Sequence, residues 1–282
     1  GKIAPKYHAV SRPIIMEDEA THSAISMSEL IDVPILIVHV SSERAMIQIQ
    51  NAQSRGLNIY AETCPQYLFL TANDLESEGF EGAKYICSPP PRTLKDQEKI
   101  WLGIKTGVFQ VFSSDHAPFR FDDDQGKQVE GSKTKFCNVP NGLPGIETRM
   151  PLLMSKGVLE NKIDIQTFVS LTSTAPAKIY GLFPRKGTIA PGSDGDLVIW
   201  DTKKNFTLSN SMLHHNVDYT PYEGMKFKAW PKTVLSRGKL IIDNGVLTAK
   251  KDHGIFLKSD LPLPAKTFDK RSLLERIENK VF

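Results

Sequence analysis

The stretch that decides the fold is VPILIVHVSS, at residues 33–42. It is a continuous run of apolar, largely β-branched residues, without the alternation of polar and apolar residues that marks a half-exposed strand. Such a run is typical of a strand buried on both faces, as in a parallel sheet covered by helices. Residues 33–42 therefore predict a buried strand with His39 near its carboxyl end.

Helices and strands alternate on either side of this stretch. Residues 16–31 predict an amphipathic helix with an acidic first turn, where the helix dipole favours carboxylates. Residues 43–55 predict a second helix and LNIYAETC (57–64) a second strand. A helix at 94–105 and the apolar strand VFQVFSSD (108–115) repeat the order. This alternation predicts an α/β fold.

The carboxyl-terminal part of the chain has a different pattern of secondary-structure signals. Helices are predicted around 145–156 and 164–180, and from Gly187 onward short strands with tight Asp-Gly and Asn-Gly turns follow. We place a boundary near 184–187. The predicted organisation is a larger α/β part, a smaller β part and a polar tail with a short helix at 270–280, covering residues 1–185, 186–250 and 251–282.

Composition narrows the class of protein. The 282 residues carry a net charge of +3, an excess too small to favour nucleic acid or an anionic membrane as partner. Cys64, Cys87 and Cys137 are far apart and form no C-x-x-C pair, which argues against a zinc ribbon or a disulfide framework and fits a reducing, cytoplasmic compartment. No apolar run reaches the roughly 18–20 residues that span a bilayer.

His39 and Asp115 are the candidate metal ligands. Each lies at the carboxyl end of a predicted strand, in VHVSS and SSDHAPF. Functional groups of parallel α/β folds gather at that end of the sheet, and imidazole and carboxylate groups both bind zinc. A hydrogen-bonded core histidine and a helix-capping aspartate are the competing interpretations, and the residues alone leave them open.

The loop CSPPPR and Asn141 are the candidate ligand contacts. CSPPPR (87–92) is a rigid loop that can hold free backbone groups in fixed positions, which suits recognition of an amide. Asn141 stands in the turn-forming segment NVPNGLPG (138–145). A plain connector and a plain turn are the alternatives.

Several segments together carry a resemblance to a known family. They occur in order between about residue 4 and about residue 247, and their letters are YHAVSRP, VPILIVHVSS, YAETCPQYL, EGAKYICSPPPR, SSDHAPF, VPNGLPGIETRMPLL, STAPAKIYGLFPRKGTIAPGSDGDLVIWD and HHNVDYTPYEG. In this order they resemble the carboxyl-terminal half of dihydropyrimidinases and D-hydantoinases of the amidohydrolase superfamily. Because no single motif carries the match, the resemblance is specific.

The resemblance implies a fold and a metal centre. The family fold is a (β/α)8 barrel with a small β-sandwich, and this chain would supply barrel strands six to eight and part of the sandwich. The family site holds two zinc ions bridged by a carboxylated lysine. By the same likeness, His39 matches a ligand of one zinc and Asp115 a ligand of the other.

The resemblance also implies a reaction, hydrolysis of a small cyclic amide. In that reaction a metal pair would supply hydroxide for attack on a ring carbonyl, and Asp115 would act as general acid and base. The backbones of Ser88 and Asn141 match groups that contact the ring amide. The substrate would be a dihydropyrimidine such as dihydrouracil, opened to an N-carbamoyl amino acid in pyrimidine degradation.

Much of the family's site is missing from the sequence. The upstream His-x-His motif, the bridging lysine, the strand-five histidine and a substrate-steadying tyrosine have no match. Zinc usually takes at least three protein ligands. We therefore expect the chain, which lacks an initiator Met, to be part of a longer enzyme or to need its amino-terminal half as a second chain. Family members are usually homotetramers, so we also expect a homo-oligomer.

Three other interpretations remain. The chain could be a non-catalytic scaffold of the collapsin-response-mediator type, although such relatives tend to lose the positions matched by His39 and Asp115. It could be a hydantoinase or allantoinase, because loops in the absent half help to select the substrate. An unrelated α/β domain is the third.

Overall fold

The structure is a computed structural model that describes residues 2–263. The helix predicted at 270–280 lies outside the described residues. Among the residues that are described, no helix is long and apolar enough to cross a membrane.

A parallel sheet forms the centre of the first part of the chain. Two helices, α1 (Tyr7–Val10) and α2 (Ile14–Ile31), precede its strands β1 (Ile35–Ile37), β2 (Ile59–Thr63) and β3 (Val111–Phe112). The strand order is β1-β2-β3, and both pairs are parallel. The carboxyl ends of the strands therefore lie at one edge of the sheet, as the alternation of helix and strand predicts.

The connecting helices begin at residues suited to capping them. They are α3 (Glu43–Ser54), α4 (Gln66–Phe69) and α5 (Leu94–Lys105). The Ser42 side chain accepts from the Ala45 amide at the start of α3, and Thr93 and Asp96 form a capping box at the start of α5. The helices predicted at 43–55 and 94–105 are thus confirmed.

The prediction that β1 is buried on both faces is wrong. Its three side chains are only partly buried, and the neighbouring Val38 is 43% exposed. The strand stands at the edge of the described sheet, paired only with β2. An edge strand has no neighbour on its outer side to cover it. The central strand β2, by contrast, is buried at four of its five positions.

The helical predictions at 145–156 and 164–180 hold in outline but not in regularity. The first is a short helix, α6 (Arg149–Leu152), continued by a π-helical turn (Leu153–Val158). The second is α7 (Ile165–Val169), a π-helical turn (Ser170–Thr174) and α8 (Ala175–Ile179). Pro176 lacks a backbone N–H and crowds the carbonyl four residues earlier, which accounts for the widened turn before α8.

The second part of the chain consists of antiparallel strands. An exposed strand, β4 (Val129–Ser132), lies in the loop region before them. They are β5 (Leu197–Asp201), β6 (Phe206–Thr207), β7 (Lys226–Phe227), β8 (Trp230–Ser236), β9 (Lys239–Asp243) and β10 (Val246–Leu247). Four of them pair in the order β10-β9-β8-β5, and β6 pairs with β7.

Two hydrophobic cores position the site. The main core packs α3, α5 and the π-helical segments against the parallel sheet, and it includes Ile49, Ile100, Phe112 and Phe168. A second core contains Leu70, Cys87, Leu143, Tyr222 and Phe227, so it lies directly under the loops that carry Ser88 and Asn141. Each fully buried Leu or Phe side chain contributes about 1.5–3 kcal/mol to stability.

Candidate functional site at the strand ends

The parallel sheet brings three polar residues to one edge. His39 follows β1 by two residues, Glu62 is the fourth residue of β2, and Asp115 follows β3 by three. Backbone hydrogen bonds continue the pairing past the strand ends, because the Val40 amide donates to Glu62 O (2.9 Å). In parallel α/β folds this is the edge at which sites form.

His39 and Asp115 share an unusual backbone conformation. Their φ angles are +43° and +45°, in the left-handed region that residues other than glycine rarely adopt. Such backbone strain costs about 1–3 kcal/mol and concentrates at functional sites. His39 is partly buried, whereas Asp115 is exposed.

Glu62 is a site residue that the sequence analysis missed. Its side chain is 8% exposed, and its Oε1 accepts a long hydrogen bond (3.4 Å) from the backbone amide of His39. Burial raises the pKa of the Glu62 carboxyl, and the charge of Asp115 raises it further. The available signal was a carboxylate inside the otherwise apolar strand LNIYAETC, because glutamate is seldom buried without a function or a partner.

The donors at this edge do not make a complete metal site by themselves. In the part of the chain that the structure describes, no group of three or more His, Cys, Asp and Glu side chains is placed to hold a metal ion. The imidazole of His39 and the carboxylate of Asp115 are donors of the types that zinc takes, so they fit as members of a larger set. Further donors would have to come from outside the described residues.

Ser88 and Asn141 come together although 53 positions separate them. The Ser88 hydroxyl donates to Asn141 Oδ1 at 3.1 Å, and both residues are exposed. A backbone hydrogen bond from the Gly142 amide to Ile86 O (3.0 Å) joins the same two loops. The structure thus places both predicted substrate contacts side by side.

A buried histidine supports the Ser88 loop. His8 Nε2 lies 2.8 Å from Cys87 O and 3.4 Å from Ser88 Oγ, and the side chain is fully buried. Burial lowers the pKa of His8 to about 4, so the ring is neutral near pH 7. No role is predicted for His8 from the sequence, since YHAVSRP gives no local sign that its histidine packs under a loop 80 residues away.

His116 supports the other loop. Its Nδ1 accepts a hydrogen bond from the Gly145 amide (3.0 Å), and its backbone forms a parallel bridge with Leu143. Burial lowers the pKa of the His116 imidazole, which favours the neutral acceptor form. His116 therefore fixes the segment after Asn141, while the adjacent Asp115 stays exposed.

A cavity of about 620 Å³ joins two of the four predicted residues. His39 and Ser88 line it together with Glu17, Pro89 and Arg92. A larger cavity, of about 770 Å³, lies between the α7–α8 segment and strands β5 and β8, and none of the four predicted residues is among the described residues that line it. The smaller cavity is the better candidate for substrate, because it contains polar groups of the strand-end site.

Known proteins resemble this chain over most of its length. Residues 36–241 match the model of the amidohydrolase family. The D-hydantoinase of Rhizobium radiobacter is 45% identical over 258 residues, which cover 92% of this chain and 55% of that protein. The D-phenylhydantoinase of Escherichia coli O1:K1 / APEC is 40% identical over 259 residues, with the same two coverages.

Solved structures agree with this. A D-hydantoinase structure matches with a TM-score of 0.88 at 44% identity, covering 93% of this chain and 56% of that one. The dihydropyrimidinase from Brevibacillus agri NCHU1002 matches with a TM-score of 0.84 at 45% identity, covering 87% and 52%. The chain spans about half the length of the relatives it matches. It therefore belongs to the amidohydrolase family, as a partial member of the hydantoinase and dihydropyrimidinase group.

Proposed function

We propose that this chain supplies one part of the active site of a metal-dependent cyclic-amide hydrolase. The observation that carries the proposal is the pair formed by His39 and Asp115. Each residue follows the carboxyl end of a strand in one parallel sheet, and each has a left-handed backbone conformation. The buried carboxylate of Glu62 lies on the strand between them. Members of the amidohydrolase family are generally metal-dependent.

The proposed substrate is a five- or six-membered ring that contains an amide. The relatives are named D-hydantoinase, D-phenylhydantoinase and dihydropyrimidinase, and both hydantoins and dihydropyrimidines are cyclic amides. Dihydrouracil is the first substrate to test, and its opening to an N-carbamoyl amino acid would be a step of pyrimidine degradation. The backbone groups of Ser88 and Asn141 would bind the ring amide.

Asp115 is the proposed general acid and base. Its exposed carboxylate can reach a ligand from the edge of the sheet, and it would take a proton from the attacking water and deliver it to the leaving ring nitrogen. Asn141 and Ser88 would hold the ring while this transfer takes place. Glu62 would keep the His39 loop in position through its bond to the His39 amide.

The proposed cofactor is Zn²⁺, two ions, with His39 binding one and Asp115 the other. When bound, such a metal lowers the pKa of a water molecule and so provides hydroxide near neutral pH. The remaining donors, including the carboxylated lysine, would come from a polypeptide corresponding to the amino-terminal half of the relatives. We further propose that the completed enzyme is a cytoplasmic homo-oligomer, a tetramer, with residues 1–185 in its barrel and 186–250 in its sandwich.

The test is ring opening by the completed enzyme. This chain would be co-expressed with the segment of the Rhizobium radiobacter enzyme that it does not cover, and hydrolysis of dihydrouracil and hydantoin would be followed with added zinc. We expect Asp115→Asn to lower kcat by roughly 10²–10⁴-fold and His39→Asn to lower the zinc content. Asp124→Asn, at an exposed aspartate nine residues after Asp115, is the control.

Three outcomes separate the alternatives. Turnover that Asp115→Asn abolishes supports the proposal. Turnover by this chain alone, without the added segment, would contradict the need for further ligands. A co-purified, folded pair with neither bound metal nor turnover would contradict the proposed hydrolase and favour the non-catalytic scaffold.

A further inference from the structure

Lys127 is buried and has no carboxylate partner among the described residues. Its side chain is 0% exposed, and its Nζ donates to three backbone carbonyls, those of Ile86 (3.2 Å), Pro140 (3.1 Å) and Gly142 (2.9 Å). Removing an ammonium group from water costs several kcal/mol, so lysine is almost never fully buried unless something holds it. Here three carbonyls hold it.

Within residues 2–263, no counter-charge explains the position of Lys127. Cys87 is the ionisable group whose charge would favour the ammonium form, but burial raises the pKa of the Cys87 thiol to about 12, so that thiol is neutral near pH 7. Burial lowers the pKa of Lys127 itself to about 7. Three N–H donors are present only in the ammonium form, so the three carbonyl contacts hold the amine through backbone dipoles and not through an ion pair.

The three carbonyls belong to the two loops of the proposed substrate contacts. Ile86 stands two residues before Ser88, while Pro140 and Gly142 flank Asn141 on both sides. One side chain thus ties together the two loops, which the Gly142 to Ile86 hydrogen bond also joins. The backbone of Lys127 is fixed in turn, since its amide donates to Arg120 O at 2.9 Å.

The groups that Lys127 does not engage are the ones a substrate would need. Among the hydrogen bonds of the described residues, none involves the backbone amide or carbonyl of Ser88 or Asn141. Lys127 donates to the carbonyls of neighbouring residues, so the backbone groups of Ser88 and Asn141 stay available to a ligand. A cyclic amide presents an N–H and a C=O side by side, so two loops at a fixed spacing can meet both groups.

We propose that Lys127 is a positioning residue for substrate binding: it sets the spacing of the loops at 86–90 and 140–142, and so aligns the free backbone groups of Ser88 and Asn141 with the amide of a cyclic substrate. This proposal rests on the proposed function. Its distinguishing consequence is a change in substrate binding, because Lys127 touches neither the strand-end residues nor any reacting atom.

The test compares Lys127→Met with Lys133→Met. Met is an unbranched side chain one atom shorter than Lys that removes the donors, and Lys133 is an exposed lysine six residues further along. Hydrogen exchange in this full chain would report the loops, and the kinetics of dihydrouracil opening would be measured on the co-expressed enzyme. We expect Lys127→Met to speed exchange in both loops and to raise KM roughly tenfold to a hundredfold, with kcat within about threefold of wild type.

Each result decides the question. Wild-type KM and loop exchange in Lys127→Met would overturn the positioning role while leaving the proposed function standing, as would a fall in kcat with no change in KM. If Lys127→Met does not fold, Lys127→Gln replaces it, because Gln keeps an N–H donor on a side chain one atom shorter, and the same rise in KM is expected. A wild-type enzyme that opens no cyclic amide would contradict the proposed function. Faster hydrogen exchange in the loops of Lys127→Met would then show that Lys127 stabilises the two loops but does not position a substrate.

Discussion

Arg92 and Glu17 form a buried ion pair beside the candidate site. Arg92 Nη2 lies 3.1 Å from Glu17 Oε2, and the two side chains are 7% and 10% exposed. Arg92 Nε also donates to Ser41 Oγ, and Glu17 accepts from both the amide and the hydroxyl of Ser41. The pair therefore links α2 to the segment after His39 and to the end of the CSPPPR loop.

Arg92→Met should strongly destabilise the chain. Removing one partner leaves the charge of Glu17 buried and uncompensated, which costs about 3–5 kcal/mol. Arg55→Met is the matched control, because Arg55 pairs with Glu29 at the surface, with 52% of its side chain exposed, and such pairs contribute below about 1 kcal/mol. Urea denaturation measures both. Equal losses in the two variants would show that the buried pair is not stabilised as the structure implies.

Because of His8, the folded chain should become less stable as the pH is lowered below neutrality. The folded chain keeps His8 neutral down to a pKa of about 4, whereas the unfolded chain takes up the proton near 6.5. The unfolded state binds more protons between these values, so stability decreases as pH falls through this window, by about 3 kcal/mol in total. Burial is the main cause, and the charges of Arg12, Lys127 and Arg92 add to it.

The measurement for His8 is the free energy of unfolding between pH 4.5 and 7. His8→Gln keeps an N–H near Cys87 O but cannot take up a proton, so its stability should fall less steeply with acid than that of wild type. His22→Gln, at an exposed histidine of α2, should keep the wild-type slope. Parallel pH profiles for wild type and His8→Gln would contradict the assignment.

Gly142→Ala should disrupt the Asn141 loop. Gly142 has φ +131°, and a Cβ there would lie 2.2 Å from Ala117 Cβ, far inside contact distance. The backbone strain and the clash together should cost roughly 3 kcal/mol or more. In Gly131→Ala the φ of +62° is also positive but no atom lies within 4 Å, so about 1 kcal/mol is expected. Thermal unfolding of the two variants tests the difference, and similar losses would rule out the clash.

Ser155→Ala should weaken the contact between the helical part and the β part. Ser155 is fully buried, and its Oγ accepts from the backbone amides of Lys228 and Ala229, both at 3.1 Å. Alanine would leave both N–H groups without this acceptor, and because only that of Ala229 is buried we expect a cost of about 1–3 kcal/mol. Ser54→Ala, at the exposed end of α3, should change stability by less than about 0.5 kcal/mol. A neutral Ser155→Ala in chemical denaturation would contradict this role.

The sequence by itself determined the local elements and the two strand-end residues. Apolar runs, acidic first turns and capping residues specify α2, α3 and α5, because those signals act within a few residues of where they stand. His39 and Asp115 could be singled out for the same reason, since each directly follows an apolar run. The resemblance to known hydrolases suggested the substrate contacts proposed for Ser88 and Asn141, since their loops alone fit a plain connector and a plain turn as well.

The tertiary structure alone decided burial and partnership. Nothing local marks Lys127, in the acidic and polar segment DDDQGKQ, as a fully buried residue, and nothing local places His8 under Ser88 or Glu62 beside His39. The exposure of β1 likewise follows from its place at the edge of the sheet and not from its apolar letters. These properties depend on contacts between residues distant in the chain, whose free energies are settled only when the elements pack together.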